Sequence, residues 1–179
     1  MVGAGVELLG PSMNEDAHCR DVYAHLGLAL WHAQGLEQGI IHALIFCDLL
    51  PKAHESDNEM NGDSFVAILD EYPKKTFGKL LKALKRTGEV LEQDFESKLA
   101  QSLEMRDWLV HHYLKNRCAH ILSVAGRDQM ISELIAADKL FTETDSQLET
   151  WLEPIRLRYG FTDEVLKTVY ERYMAAVVC

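Results

Sequence analysis

Apolar residues recur every three or four positions between residues 17 and 50, and this spacing constrains the fold more than any other feature of the chain. An α-helix turns about 100° per residue, so side chains at these positions share one wide face. The apolar positions are Val22, Leu26, Ala29, Leu30, Ala33, Leu36, Ile40, Ala43, Leu44 and Cys47. A face this wide needs several neighbouring helices to bury it.

Three glycines interrupt this long helical pattern at Gly27, Gly35 and Gly39. Glycine inside a helix costs about 1 kcal/mol relative to alanine, so its presence needs a compensating reason. A glycine allows another helix to approach closely. We therefore predict that a second helix packs against these positions.

Helical periodicity continues through the rest of the chain, and no segment alternates apolar and polar residues for long enough to indicate a strand. Pro51 ends the first helix, and Gly126 is predicted to mark a break. Gly88 is predicted to follow a helix end and Thr162 to cap a helix start. The predicted helices span 17–50, 64–72, 77–88, 92–120, 127–158 and 162–177. The fold class is therefore all-α, a helical bundle of about five or six helices.

The domain organisation follows from these helices and from the polar segments between them. The chain has 179 residues, which suits one domain with a sizeable core, or one domain with an appendage. We predict a flexible N-terminus over 1–16 and a main helical domain over 17–125, interrupted by a mobile loop at 51–63. Residues 126–179 are predicted to form a C-terminal helical extension.

Composition narrows the classes of function. The formal net charge is −10, which disfavours indiscriminate binding of nucleic acid by the whole surface but leaves room for a local basic site. The four cysteines form no CxxC pair, which is typical of reduced thiols in the cytosol. No run of 18 apolar residues exists, so we expect no membrane span and a cytoplasmic protein. We also expect no cofactor and no metal.

The stretch RDWLVHHY at residues 106–113 carries unusually many polar groups for a helix of a bundle. Arginine and histidine are seldom fully buried without partners. On one continuous helix, Arg106 and Tyr113 share a face, while Asp107 lies one turn from His111 and can hydrogen-bond to it. The positions expected to anchor this helix in the core are Leu103, Val110 and Leu114.

This stretch resembles the motif of HEPN-domain proteins, in which four residues separate an arginine from a histidine and one further residue precedes a tyrosine. Arg106, His111 and Tyr113 occupy these places, and Asp107 matches the polar residue that commonly follows the arginine. The wider layout is also similar over roughly residues 17–125, with AQGLEQ in a long first helix and TFGKLLKAL before the motif helix.

The resemblance implies an all-α HEPN-like bundle that forms a homodimer through its motif helices. Many HEPN proteins are metal-independent ribonucleases that act as toxins or defence effectors, and others are non-catalytic binding modules. In one subgroup, a nucleotidyltransferase antitoxin adenylylates the motif tyrosine, which matches Tyr113. With 179 residues, this chain is longer than members of that subgroup, and it departs from them at TFGKLL. The resemblance therefore leaves two hypotheses for the function of the chain. It is either an endoribonuclease or a non-catalytic helical protein that recognises a nucleotide, RNA or a partner protein.

Chemistry independently favours the same residues. Metal-free RNA cleavage needs a group that takes the proton of the 2′-hydroxyl, which suits His111, with His112 ranked second. Arg106 would stabilise the negative charge of the transition state, Asp107 would orient His111, and Tyr113 would position RNA. Arg106 and His111 lie about 140° apart on one helix, so a twofold dimer is needed to bring such groups together.

Simpler interpretations remain open beside these roles. Arg106 could form an ion pair with Glu37 or Glu104, His111 could lie at a wet rim, and Tyr113 could belong to the core. Glu37 could instead support the motif from the first helix. A basic stretch at 74–86 either contacts a phosphate backbone or forms a solvated face. Its candidate contacts are Lys75, Lys79, Lys82 and Arg86.

Overall fold

The computed structural model describes residues 13–51 and 76–177, and within these ranges the chain is helical and contains no β-strand. A π-helical turn at Ile45–Leu49 extends the first helix, and a 3-10 turn lies at His120–Leu122. The α-helices are α1 Met13–Leu44, α2 Phe77–Leu84, α3 Gln93–His111, α4 Tyr113–Arg117, α5 Val124–Arg158 and α6 Asp163–Val177. The prediction of an all-α bundle is confirmed. The predicted helix at 64–72, most of the loop at 51–63 and Lys75 lie outside the described residues.

One hydrophobic core joins α1, α2, α3 and α5. The predicted apolar face of α2 is confirmed, since Phe77, Leu80, Leu81 and Leu84 are all buried. From α5 the core receives Met130, Leu134, Ala137, Phe141, Leu148, Leu152 and Ile155. The described residues therefore share a core across the boundary that we placed at residue 125. At the other end, α1 begins at Met13, four residues before the predicted start.

The glycines of α1 differ in their surroundings. A Cβ atom at Gly39 would lie 2.9 Å from Leu148 Cδ2 and 3.0 Å from Asp145 Oδ1, so α5 packs tightly there, as predicted. The same atom at Gly27 or Gly35 would meet nothing within 4 Å among the described residues. Only one of the three glycines is therefore explained by packing within the described chain.

Gly126 does not break a helix, contrary to the prediction. It lies in the first turn of α5, where its backbone N–H donates a hydrogen bond of 3.1 Å to the hydroxyl of the N-cap residue Ser123. A Cβ atom at Gly126 would come within 3 Å of three backbone atoms of His120. The glycine is thus required by the close approach of the preceding turn. None of the described helices is long and apolar enough to cross a membrane.

Candidate functional site

The motif stretch is divided between two helices, so the predicted single helix over 92–120 is wrong. Helix α3 ends at His111, and His112 has φ −128° and ψ −26°, outside helical geometry. The His112 backbone N–H still donates to the Trp108 carbonyl at 2.9 Å, and its own carbonyl accepts from Asn116 N–H at 2.9 Å. The chain therefore turns at His112 without losing its hydrogen bonds, and the face shared by positions 106 and 113 of a continuous helix does not exist.

The buried side of the motif also differs from the prediction. Val110 and Leu114, expected to anchor the helix, are 48% and 57% exposed, and Leu103 is half-buried. Leu109 and Tyr113 occupy the core instead. These two residues are four apart, so they lie on one side of the chain despite the turn at His112. His111 and His112 lie between these two buried residues and are exposed at the surface.

Arg106 lies at a half-buried position between α3 and α1, held by two carboxylates. Its Nη1 donates a hydrogen bond of 3.0 Å to Asp107 Oδ1, and its Nη2 lies 3.9 Å from Glu37 Oε2. The exposed fractions are 27% for the Arg106 side chain and 17% for Glu37. Since a guanidinium carries five N–H donors and one hydrogen bond is made to Asp107, further donors remain for an anion. The structure thus brings Glu37, Asp107 and Arg106 together.

The structure does not bring Asp107 to His111. The side-chain hydrogen bond of Asp107 is the one to Arg106, so the predicted orienting bond to His111 is not formed. The rings of His111 and His112 are exposed, with centroids 6.3 Å apart. The two imidazoles therefore form a separate exposed pair beyond the end of α3.

Tyr113 is fully buried, and its hydroxyl donates a hydrogen bond of 3.1 Å to the Met130 carbonyl on α5. Trp108 meets its ring edge to face, at 4.9 Å between centroids. Burial raises the pKa of Tyr113 to about 12, with Glu133 adding to the rise and Arg117 opposing it. Positioning RNA and accepting a nucleotidyl group both need an accessible hydroxyl. We correct both predicted roles accordingly, because the geometry makes Tyr113 a core residue.

Replacing Tyr113 with phenylalanine tests this structural role. We expect a loss of about 0.5–1.5 kcal/mol in the free energy of unfolding, because one buried hydrogen bond disappears while the ring stays packed. Urea titration followed by circular dichroism measures this change. Tyr113→Ala serves as the comparison and should cost about 3–5 kcal/mol through the cavity it leaves. Equal losses in both variants would contradict this account of the hydroxyl.

Hydrogen bonds between Arg117 and Glu133, which the sequence did not indicate, connect the end of the motif to α5. Arg117 donates two hydrogen bonds to Glu133, Nε to Oε2 at 2.8 Å and Nη2 to Oε1 at 2.9 Å. Gln129 donates a third to Glu133 Oε1, at 2.9 Å. The Arg117 guanidinium also lies 5.6 Å from the centroid of the Trp108 ring. Hydrogen bonding from Arg117 lowers the pKa of Glu133, so the pair stays ionised at neutral pH and ties α4 to α5.

Two open grooves lie on the helices that carry the candidate site, one along α1 and one mainly along α3. One, of about 420 Å³, is lined by Trp31, Gln34, Gly35, Glu37 and Gln38. The other, of about 330 Å³, is lined by Gln101, Glu104, Met105, Trp108 and Leu140. The first groove includes Glu37, the carboxylate 3.9 Å from the Arg106 guanidinium, and the second includes Glu104 and Met105, which precede Arg106 on α3. Arg106 is not among the lining residues of either groove.

Lys79 and Lys82 on α2 have exposed side chains, as does Arg86, two residues beyond the end of that helix. Their neighbour Lys85 forms an ion pair with Glu96 on α3, at 2.5 Å. No hydrogen bond or ion pair joins the three exposed cations to the motif residues in the part of the chain that the structure describes. Their exposure fits both predicted alternatives, a solvated basic face and contact with a phosphate backbone.

Metal-ligating side chains are dispersed over the described ranges. His18, the first of the histidines on α1, has Nε2 3.1 Å from Asp128 Oδ1 on α5. Within the described residues, 13–51 and 76–177, no group of three or more histidine, cysteine, aspartate or glutamate side chains is arranged to hold a metal ion.

These groups are all exposed or half-buried around the end of α3 and the neighbouring face of α1. A half-buried guanidinium, two exposed imidazoles and two grooves make this region the candidate site. Comparison of the chain with protein-family models, with curated proteins and with solved structures found no match.

Proposed function

We propose that this protein is a metal-independent endoribonuclease, as the HEPN-like motif implies, with Arg106 as its phosphate-binding group. The observation that carries the proposal is the half-buried Arg106 guanidinium, which is hydrogen-bonded to Asp107 and lies 3.9 Å from Glu37, a residue that lines one groove. A planar donor set suits the charge that develops on the phosphorane oxygens. The guanidinium has five N–H donors, and those that Asp107 does not use can bind a phosphate.

The proposed reaction uses imidazole as acid and base. His111 removes the proton of the 2′-hydroxyl, and the resulting oxygen attacks the adjacent phosphorus. The bond from phosphorus to the 5′-oxygen breaks, and a second imidazole, His112 or a histidine of another copy, donates a proton to that leaving oxygen. The products are a 2′,3′-cyclic phosphate and a 5′-hydroxyl. Both histidines are exposed, so each can reach a bound strand.

Two features of the surface support a single-stranded RNA substrate. Trp108 lines the groove along α3, where a base could stack on the indole. The exposed cations Lys79, Lys82 and Arg86 provide a place for the phosphate backbone. We therefore expect RNA affinity to fall as salt rises, although the net charge of the chain is −10.

The proposal includes pairing of two copies so that both motif helices act on one face of the assembly. On α3 the side chains of Arg106 and His111 point about 140° apart around the helix axis. Within a single copy they therefore do not converge on one phosphate group. A twofold axis supplies a second arginine and a second histidine pair to the same strand. An antitoxin partner rests on the family resemblance alone.

A non-catalytic binding protein is the second candidate, and one contact favours it. Asp107 hydrogen-bonds to Arg106 and therefore does not orient His111 as a general base. Under this alternative, the same guanidinium and grooves recognise a nucleotide, an RNA strand or a partner protein. The two candidates share their binding surface and differ in whether a bond is broken.

The experiment that separates them is RNA cleavage by the purified full chain in EDTA. Under the enzyme proposal, cleavage persists after chelation, yields 2′,3′-cyclic phosphate ends and falls by about 10²–10⁴-fold in His111→Ala. Val110→Ala is the matched control, because it changes the exposed neighbour of His111 and keeps both imidazoles. RNA binding without cleavage by the folded wild type would favour the second candidate.

A further inference from the structure

The groove along α1 combines an exposed indole with an open depression. Trp31 is 70% exposed and lines this groove of about 420 Å³ together with Gln34, Gly35, Glu37 and Gln38. A Cβ atom at Gly35 would meet nothing within 4 Å among the described residues, so the surface one turn after the indole is open. Ligand pockets usually measure about 300–1,000 Å³, so a planar ring system fits here. We call this groove the Trp31 groove.

Glu37 gives the Trp31 groove a hydrogen-bond acceptor without a donor. Its side chain is half-buried, and its Oε2 lies 3.9 Å from Arg106 Nη2, a distance too long for a hydrogen bond. Glu37 hydrogen-bonds to none of the other residues that the structure describes. An ionised carboxylate accepts hydrogen bonds and never donates them, and partial burial makes unused acceptors costly. The groove therefore favours a ligand that presents N–H donors to Glu37.

The charges at this end of the groove select an uncharged ligand. The Glu37 carboxylate repels an anionic group placed against it. A cationic group in the same place is repelled by the Arg106 guanidinium, 3.9 Å from Glu37. A neutral planar edge with two N–H donors meets neither penalty, and its faces can stack on the exposed indole of Trp31.

We infer that the Trp31 groove binds a guanine base, which stacks on Trp31 and donates its N1–H and N2–H to the Glu37 carboxylate. Among the RNA bases, only guanine carries two adjacent donors on its Watson–Crick edge. Adenine and cytosine have a ring-nitrogen acceptor beside their amino group, and uracil has carbonyls on both sides of its N3–H. Each would therefore set an acceptor against the carboxylate. Gln34 and Gln38 are exposed and have amide donors for guanine O6.

The guanine belongs to a free nucleotide or to an RNA strand, and both sources present the same edge. For RNA the inference rests on the proposed function, whereas a free guanine nucleotide would bind without it. None of the proposed catalytic groups, Arg106, His111 and His112, lines the Trp31 groove. The base contact can therefore be measured separately from cleavage.

Strands of 2′-O-methyl RNA measure the base preference without cleavage, because the methylated oxygen cannot attack phosphorus. Fluorescence anisotropy of the full chain with labelled oligouridine strands that differ only in one central base gives a dissociation constant for each base. We expect the guanine strand to bind at least about 10-fold more tightly than the adenine strand, as a bidentate pair allows. Equal affinity for all the strands would overturn the inference.

Substitution of Glu37 tests the hydrogen-bonding edge. Glutamine keeps one acceptor and adds a donor, a pattern that matches adenine better than guanine. The preference for guanine over adenine should disappear or reverse in Glu37→Gln and persist in Glu37→Asp, which keeps both acceptors. An altered Arg106 would affect all the strands alike, so the ratio of affinities isolates the base contact. Glu104→Gln is the matched control, because it removes the same charge from the other groove. An unchanged preference in Glu37→Gln would contradict the inference.

Two further variants test the stacking position. Trp31→Ala should weaken binding of the guanine strand by about 5- to 100-fold, the usual effect of losing one stacked base. Gly35→Leu should also weaken binding, because its side chain fills the open depression. Leucine at this position meets no described atom near its Cβ and has the higher helix propensity, so urea denaturation should show an intact fold. Undiminished binding by both folded variants would overturn the placement of the base.

Competition with guanosine and adenosine 5′-monophosphates identifies the source of the base. Displacement of the guanine strand by the guanosine nucleotide alone assigns the groove to free nucleotides, and displacement by neither assigns it to RNA. Guanine preference without cleavage of unmodified RNA would support the base site and contradict the ribonuclease proposal. Cleavage of RNA without any base preference would contradict the base site alone.

Discussion

Substitution of Arg106 by alanine is expected to lower the rate of RNA cleavage by about 10²–10³-fold, the usual effect of removing one charge-stabilising donor group. In the proposed reaction the guanidinium, which is hydrogen-bonded to Asp107 and close to Glu37, would stabilise the negative charge of the transition state. Initial rates with a fixed single-stranded RNA measure the change. Arg106→Lys should recover only part of the activity, because lysine keeps the charge and loses the planar fork.

The control for this prediction is a second arginine with an acidic partner. Arg158 Nη2 lies 2.7 Å from Glu89 Oε1 and its side chain is 56% exposed, so Arg158→Ala removes a similar ion pair away from the motif. It should leave cleavage within about twofold of wild type, since exposed pairs contribute little to stability. If Arg106→Ala cleaved RNA as fast as Arg158→Ala, the proposed role of Arg106 would be wrong.

The second large effect concerns stability. Gly126→Ala should lower the free energy of unfolding by at least about 2–3 kcal/mol, because the new Cβ atom would come within 3 Å of three backbone atoms of His120. Backbone atoms cannot move aside as a flexible side chain can, so either the 3-10 turn or the start of α5 must shift. Chemical denaturation at low protein concentration measures the loss.

Gly27→Ala is the matched control for this substitution. Gly27 also lies inside a helix, but a Cβ atom there meets nothing within 4 Å among the described residues. Alanine should therefore stabilise the isolated copy by up to about 1 kcal/mol through its higher helix propensity. The two variants make the same chemical change with opposite expected signs. A similar effect of both would show that propensity, and not the contact with His120, decides the outcome.

The helices that the sequence predicted well are those whose apolar spacing is regular and whose ends carry local signals. The four buried residues of α2 follow the helical period, and Thr162 accepts a hydrogen bond of 3.4 Å from the Val165 N–H just after α6 begins. Local chemistry was sufficient in these two places. The predicted C-cap at Gly88 is wrong, because α2 already ends at Leu84 with Lys85 as its C-cap, although Gly88 has the positive φ of +83° that glycine favours.

The errors arose where distant residues decide the local structure. Nothing in RDWLVHHY signals a turn at His112, because the stretch has no glycine or proline. The turn accompanies the bond from Tyr113 to Met130, a residue 17 positions later. The sequence predicts a break between helices at Gly126, whereas this glycine allows the backbone of His120 to approach α5 closely. The pairing of Arg106 with Glu37 was one of two predicted alternatives, and only the packing of α1 on α3 distinguishes them.

The turn at His112 has a consequence for how this site could change during evolution or design. Upstream, Arg106 is held by α1, and downstream, Tyr113 is held by α5, so the two ends of the motif are fastened to different helices. The two exposed histidines lie on the short connection between these attachments. We expect a residue added or removed there to change the reach of the imidazoles more than it changes the contacts of Arg106 and Tyr113, because those contacts are made to two different helices. The spacing from arginine to histidine is then the part of the motif that can vary most easily.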